Sequence, residues 1–179
     1  MLRIAMVLTA VAAATYPARL AVTASGVGPI RAGVVVNAKT LAKLFSSYRA
    51  TEHADESEGE VVGHAVTLSE NGKPVLVVHG DAARKLVSVE AVSPEIQAPH
   101  GLHVGASFGQ LQKLGKLDCL RGSEERAGEL LCALPPEKSI VYVGEVAELG
   151  ARWNGPDDQV PPAALAADLT IRRIAWLAP

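Results

Sequence analysis

The stretch from Glu60 to Pro94 constrains the fold more than any other part of the chain. Val62, His64, Val66 and Leu68 alternate with other residues, the period of a strand that buries one face. Asn71-Gly72 then supplies two residues that tolerate the positive φ of a tight hairpin turn. Pro74 to His79, PVLVVH, is apolar enough for a buried strand, and Gly80-Asp81 turns the chain again. Leu86 to Val92 alternates a second time. Leu86, Ser88, Glu90 and Val92 share one side, and Val87, Val89 and Ala91 share the other; the all-apolar second set is expected to face the core. Strands joined by connections this short pair antiparallel, so the stretch predicts a three-strand meander. Ser93-Pro94 closes it, because proline cannot extend a ladder.

Helical spacing appears on both sides of this meander. Asn37 is placed to cap a helix over 38–49 whose apolar residues Leu41, Leu44, Phe45 and Tyr48 fall on one face, with Lys39, Lys43 and Arg49 opposite. A second helix is expected over 106–115, capped by Ser107 and seated by Phe108, Leu111 and Leu114; Gly109 weakens it and Gly115 stops it. Ala32 to Val36, Ser139 to Val146 and Leu169 to Leu177 read as further strands. Thr51 to Glu60 is acidic and polar, the composition of a solvated loop. Leu149 to Pro162 is a long loop followed by a helical turn over Ala163 to Ala167. The sum is a single-domain α+β fold, an antiparallel β-sheet meander with two short helices packed on one face. The 179 residues, 49% of them hydrophobic, suffice for one core built mainly from aliphatic side chains.

The first residues bear on compartment. Met1-Leu2-Arg3 is a short positive start, Ile4 to Thr15 is an apolar run, and Val22-Thr23-Ala24 places small residues at −3 and −1 of a cleavage point before Ser25. That is the layout of a secretory signal peptide over 1–24, with the exported domain over 25–179; a cut after Ala14 is the other placement, and a buried N-terminal helix the competing reading. The run is shorter than the roughly 20 apolar residues of a membrane span. Removing Arg3 and Arg19 takes the formal net charge from −2 to −4. In an oxidising compartment Cys119 and Cys132 are expected to pair, and closing their loop stabilises by about 3 kcal/mol; two reduced, buried thiols are the alternative.

These landmarks together resemble the sigma-E-regulated envelope lipoprotein family, small exported bacterial proteins of unknown biochemical function. The marks are Gly26-Val27-Gly28, Gly80-Asp81, Gly101 with Val104-Gly105 and Ser107-Phe108, Cys119 with Cys132, Trp153 with Gly155-Pro156-Asp157, and Ile174-Ala175-Trp176. The similarity runs from Gly26 to Trp176 and implies an envelope protein linked to stress response. A lipoprotein carries its lipid on a cysteine directly after the signal. Here the first cysteine is Cys119, so a soluble periplasmic form without a lipid anchor is expected. The resemblance brings no catalytic residue to this chain.

Nothing in the residues themselves adds one. A net charge of −2 offers no footprint for nucleic acid or for an anionic membrane. His100 and His103 lack the helical i, i+4 spacing and intervening Glu of a zinc enzyme, and Pro99 and Gly101 oppose a helix there. Gly26-Val27-Gly28 follows no strand and is interrupted by Pro29, so no dinucleotide cofactor is expected. Ser107 lies outside a GxSxG elbow. No metal, no cofactor and no enzymatic activity are therefore expected. Trp153, Asp157 and Asp158 form an aromatic and acidic loop, either a recognition edge or a lid in which the indole covers the end of the core. The expected function is binding of an envelope protein through a surface. The alternative is carriage of a small ligand in an apolar pocket between helix and sheet, lined by Leu41, Phe45, Phe108 and Leu111.

Overall fold

The computed structural model describes residues 20–57, 60–123, 126–156 and 161–179. An N-terminal two-stranded hairpin, β1 (Val22–Thr23) and β2 (Gly26–Val27), is followed by α1 (Ala38–Leu44). Then come β3 (Arg49–Ser57), β4 (Glu60–Glu70), β5 (Lys73–Asp81) and β6 (Leu86–Ala91), and a short α2 (Phe108–Gln112). β7 (Asp118–Arg121), β8 (Glu129–Ala133), β9 (Ile140–Glu145), α3 (Ala163–Ala166) and β10 (Arg173–Leu177) complete the chain. The large sheet has eight strands in the order β3-β4-β5-β6-β10-β9-β8-β7, every pair antiparallel. It is two meanders, β3–β6 and β7–β9, joined by the last strand, which inserts between β6 and β9. This is the antiparallel, single-domain α+β architecture that the meander pattern predicts.

Register explains where the core sits. Leu76, Ala91, Ile174 and Tyr142 stand side by side across four strands, as do Val78, Val89, Trp176 and Ile140, and all eight are buried. The N-terminal hairpin, α1, α2 and α3 add Val22, Val27, Leu41, Phe108 and Ala166 to this same cluster. The Asn71-Gly72 turn forms with φ of 51° and 77°, the left-handed pair that the sequence requires there. Asn37 caps α1 as expected, its side chain accepting a 2.8 Å hydrogen bond from the Thr40 amide.

Several expectations are corrected. The acidic stretch Thr51 to Glu60 is not a loop: most of it lies in β3, an edge strand of the large sheet. Charge along an edge strand blocks pairing with other chains, so a composition that mimics a loop is also what an edge strand carries. Two of its acids are also partnered, Glu52 by Arg84 and by the Ala38 amide, and Asp55 by His79. The helix predicted over 38–49 ends at Leu44, which is 39% exposed, because Arg49 is needed to begin β3. The helix predicted over 106–115 shortens to Phe108–Gln112, and Ser107 makes no side-chain cap bond. Gly109 has a packing reason: a Cβ there would lie 3.2 Å from the Ala167 carbonyl oxygen. Ala32 to Val36 contributes only an isolated bridge between Val35 and Lys85. In β6 the split of faces is not apolar against polar. Val87 is 50% exposed while Glu90 and Ser88 are buried, since β6 has neighbours on both sides and Glu90 is held by ion pairs. Among the described residues no helix is long and apolar enough to cross a membrane.

Candidate functional site

The two cysteines lie on adjacent strands of the β7–β8 hairpin, and Cys119 lies directly opposite Cys132 in its register. The two are joined as a disulfide, with 13 positions separating them in sequence. Cys132 in turn stands beside Tyr142 on the core face, where burial pushes the phenol pKa up to about 12 and keeps it neutral.

A groove opens against this disulfide. Its walls are Phe108 and Gln112 of α2, Gly115 to Leu117, the Cys119–Cys132 bridge, Pro161, and Ala163 and Ala166 of α3; its volume is about 530 Å³. The walls are held by the backbone. The Phe108 amide donates to the Leu169 carbonyl at 2.8 Å, and the Gln112 side chain donates to the Ala163 carbonyl at 3.2 Å, which fixes α2 to the α3 segment. Phe108 can sit this deep because Gly144 on β9 has no side chain; a Cβ there would lie 2.6 Å from its ring. The lining is predominantly apolar, with Gln112 and Lys116 as hydrogen-bonding groups and, among the described residues, no carboxylate. Among the described residues Lys116 makes no ion pair. A second depression lined by Lys116, Leu117, Asp118 and Pro135 continues past the same lysine.

A row of charges crosses the opposite face of the sheet. Asp55, His79, Glu90, Arg173 and Glu129 lie on β3, β5, β6, β10 and β8. His79 Nδ1 is 3.3 Å from Asp55 Oδ2 and its Nε2 is 3.9 Å from Glu90 Oε2. Arg173 Nε is 3.3 Å from Glu90 Oε2, its other end bonds Glu129, and Arg126 reaches Glu90 Oε1 at 3.3 Å. Direct neighbours in this register are small, Ser88 beside His79 and Ala175 beside Glu90, so the long side chains meet along diagonals. Glu90 raises the pKa of His79, against the effect of burial, and Asp55 adds to it. Burial opposes the charge on Glu90, yet His79, Arg173 and Arg126 together hold its carboxyl below the ordinary value.

The residues singled out in the sequence fall in separate places. Leu41, Phe45 and Leu111 are packed in the core, and of that quartet Phe108 lines the groove, which sits beside α2 and the disulfide instead of beneath α1. Trp153 is half-buried against the core, its ring over Gly155 and its indole nitrogen enclosed. Asp157 and Asp158 lie outside the described residues. His103 donates from Nδ1 to the Val104 carbonyl, and His100 adopts a left-handed φ of 62° in a turn. The groove and the charge row were both invisible in the sequence: each is assembled from residues far apart in the chain, and neither leaves a local spacing.

No curated protein matches this chain. Among solved structures, the uncharacterized protein yfeY from Escherichia coli superposes with a TM-score of 0.67 at 17% identity, over 89% of this chain and 99% of that one. At that identity the likeness is one of fold. A family model, however, matches nearly the whole sequence, and on that ground the chain belongs, over residues 10–178, to the family described as Protein of unknown function (DUF1131).

Proposed function

We propose that this protein is exported to the periplasm and acts there by binding, without catalysis, and that the groove beside Cys119–Cys132 holds a small, mainly apolar ligand. The observation that carries the proposal is the groove itself: about 530 Å³, walled by Phe108, Leu117, Pro161, Ala163, Ala166 and the disulfide. That volume falls within the roughly 300–1,000 Å³ of small-molecule sites, and a few polar groups at an apolar wall are what orient a ligand. Lys116 and Gln112 favour a ligand with an acidic or hydrogen-bond-accepting end. Export is supported by the positive start and apolar run before Leu20, and by a disulfide of the kind that persists in oxidising compartments. A role in envelope stress rests on the resemblance of the sequence marks alone.

The test is titration of the oxidised protein with 8-anilinonaphthalene-1-sulfonate, an apolar anion whose fluorescence rises on burial. Saturable binding should weaken at least tenfold in Ala166→Trp, which fills the groove, and severalfold in Lys116→Glu, an exposed position where folding is not at stake. Binding unchanged in both variants, or absent from the wild type, would refute the assignment.

A further inference from the structure

We infer that the export signal is removed between Ala14 and Thr15, so that the mature chain retains Leu20 to Ala24 as part of its fold. The inference rests on the export proposal and sharpens it to one bond. A cut before Ser25 satisfies the small-residue rule equally well in sequence, with Val22 at −3 and Ala24 at −1. The structure gives those residues other work. Val22–Thr23 is β1, paired with Gly26–Val27, and Val22 is buried in the core cluster. The Val22 amide donates to the Gln97 carbonyl at 2.8 Å, and the Gly28 amide donates to the Ala21 carbonyl at 3.0 Å. The indole Nε1 of Trp176, a side chain enclosed at the centre of the sheet, donates to the Ala24 carbonyl at 3.1 Å. Leu20 lies over Gly28, where a Cβ would approach its Cδ2 to 2.6 Å.

Signal removal precedes folding, so the folded state does not itself protect the Ala24–Ser25 bond. What it shows is the cost of cutting there: β2 would lose its partner and the indole N–H of buried Trp176 its acceptor. The usable bond must therefore lie before Leu20. There the choices are narrow. Cutting after Ala18 would put bulky Tyr16 at −3, cutting after Ala12 would leave too short an apolar run behind Arg3, and cutting after Ala13 would put branched Val11 at −3 behind a run, Ile4 to Ala10, at the lower limit of length. Cutting after Ala14 sets Ala12 and Ala14 at −3 and −1 and leaves Ile4 to Val11 as the apolar run.

The test is intact-mass analysis of the protein released from the periplasm of a Gram-negative host that expresses the full chain with its own N-terminus. The expected species is Thr15 to Pro179. A species starting at Ser25, or at any residue other than Thr15, overturns the inference while leaving export standing. An uncleaved chain starting at Met1 and confined to the cytoplasm overturns both. As a second arm, Ala14→Phe should accumulate precursor and Ala24→Phe should be processed like the wild type; the reverse pattern overturns the assignment.

Discussion

Replacing Glu90 by Gln isolates the charge at the centre of the row across the sheet. The substitution keeps shape and hydrogen-bonding capacity and removes only the negative charge facing His79, Arg173 and Arg126. Charge-assisted hydrogen bonds contribute about 1.5–3 kcal/mol each. Arg173 keeps Glu129 and His79 keeps Asp55, and half-exposed Arg126 keeps Glu129, so a net loss of about 2 kcal/mol is expected rather than the sum. For a domain of this size that lowers Tm by about 4–8 °C. The pH dependence makes the prediction specific. His79 has a folded pKa above 6.5, so its contribution is complete below 6.5 and is lost as pH rises through the folded value. Glu90 has a folded pKa below 4.5, so its contribution is present above 4.5 and is lost as pH falls through the folded value. The row is therefore most stabilising between 4.5 and 6.5. Calorimetric melts at about pH 5.5 and about pH 8.5 should show the gap between wild type and Glu90→Gln shrinking at the higher pH, as the imidazole gives up its proton. An equal gap at both values, or a variant as stable as the wild type, would refute the reasoning.

Other perturbations follow from the same geometry. Cys119→Ser should cost about 3 kcal/mol under oxidising conditions and nothing in excess reductant, measured by denaturant melts of both forms; equal losses with and without reductant would count against the bridge as the source. Asn37→Ala removes the acceptor for the Thr40 amide and should destabilise by about 1 kcal/mol, read as a lower denaturation midpoint at unchanged slope. Gly144→Ala should push the Phe108 ring from its place, costing about 1–3 kcal/mol and weakening dye binding in the groove; a neutral effect on both would show that the close approach of ring and backbone does not matter.

Much of the fold was legible because the meander states its own geometry. Alternation in Val66 and Leu68, the Asn71-Gly72 turn and the apolar run at Val75 to Val78 each point to the same antiparallel pairing, and the structure pairs them so. Asn37 was legible as a cap since capping is a local act. The errors came where tertiary context overrides local composition. β3 reads as a loop because its charges are satisfied by partners on other segments, Arg84 and His79, which no window of sequence displays. Glu90 reads as a solvent-facing strand residue, yet it is buried by cations from β10 and from the β7–β8 connection. α1 stops early since the chain must reach the sheet edge, a demand set by β4 and not by the spacing of Leu41, Leu44 and Tyr48. The groove joins α2, β7, β8 and α3, and the sequence could mark only one of its walls, Phe108, as apolar and inward.

The central claim is that the disulfide-side groove is where this protein meets its ligand, and amide chemical-shift mapping tests it residue by residue. On titration of the oxidised, isotopically labelled protein with dodecanoate, a linear acid with an apolar tail, the largest shifts should fall at Phe108, Gln112, Lys116, Leu117, Ala163 and Ala166. Shifts centred instead on Asp55, His79 and Glu90, or a spectrum unchanged at saturating acid, would contradict it.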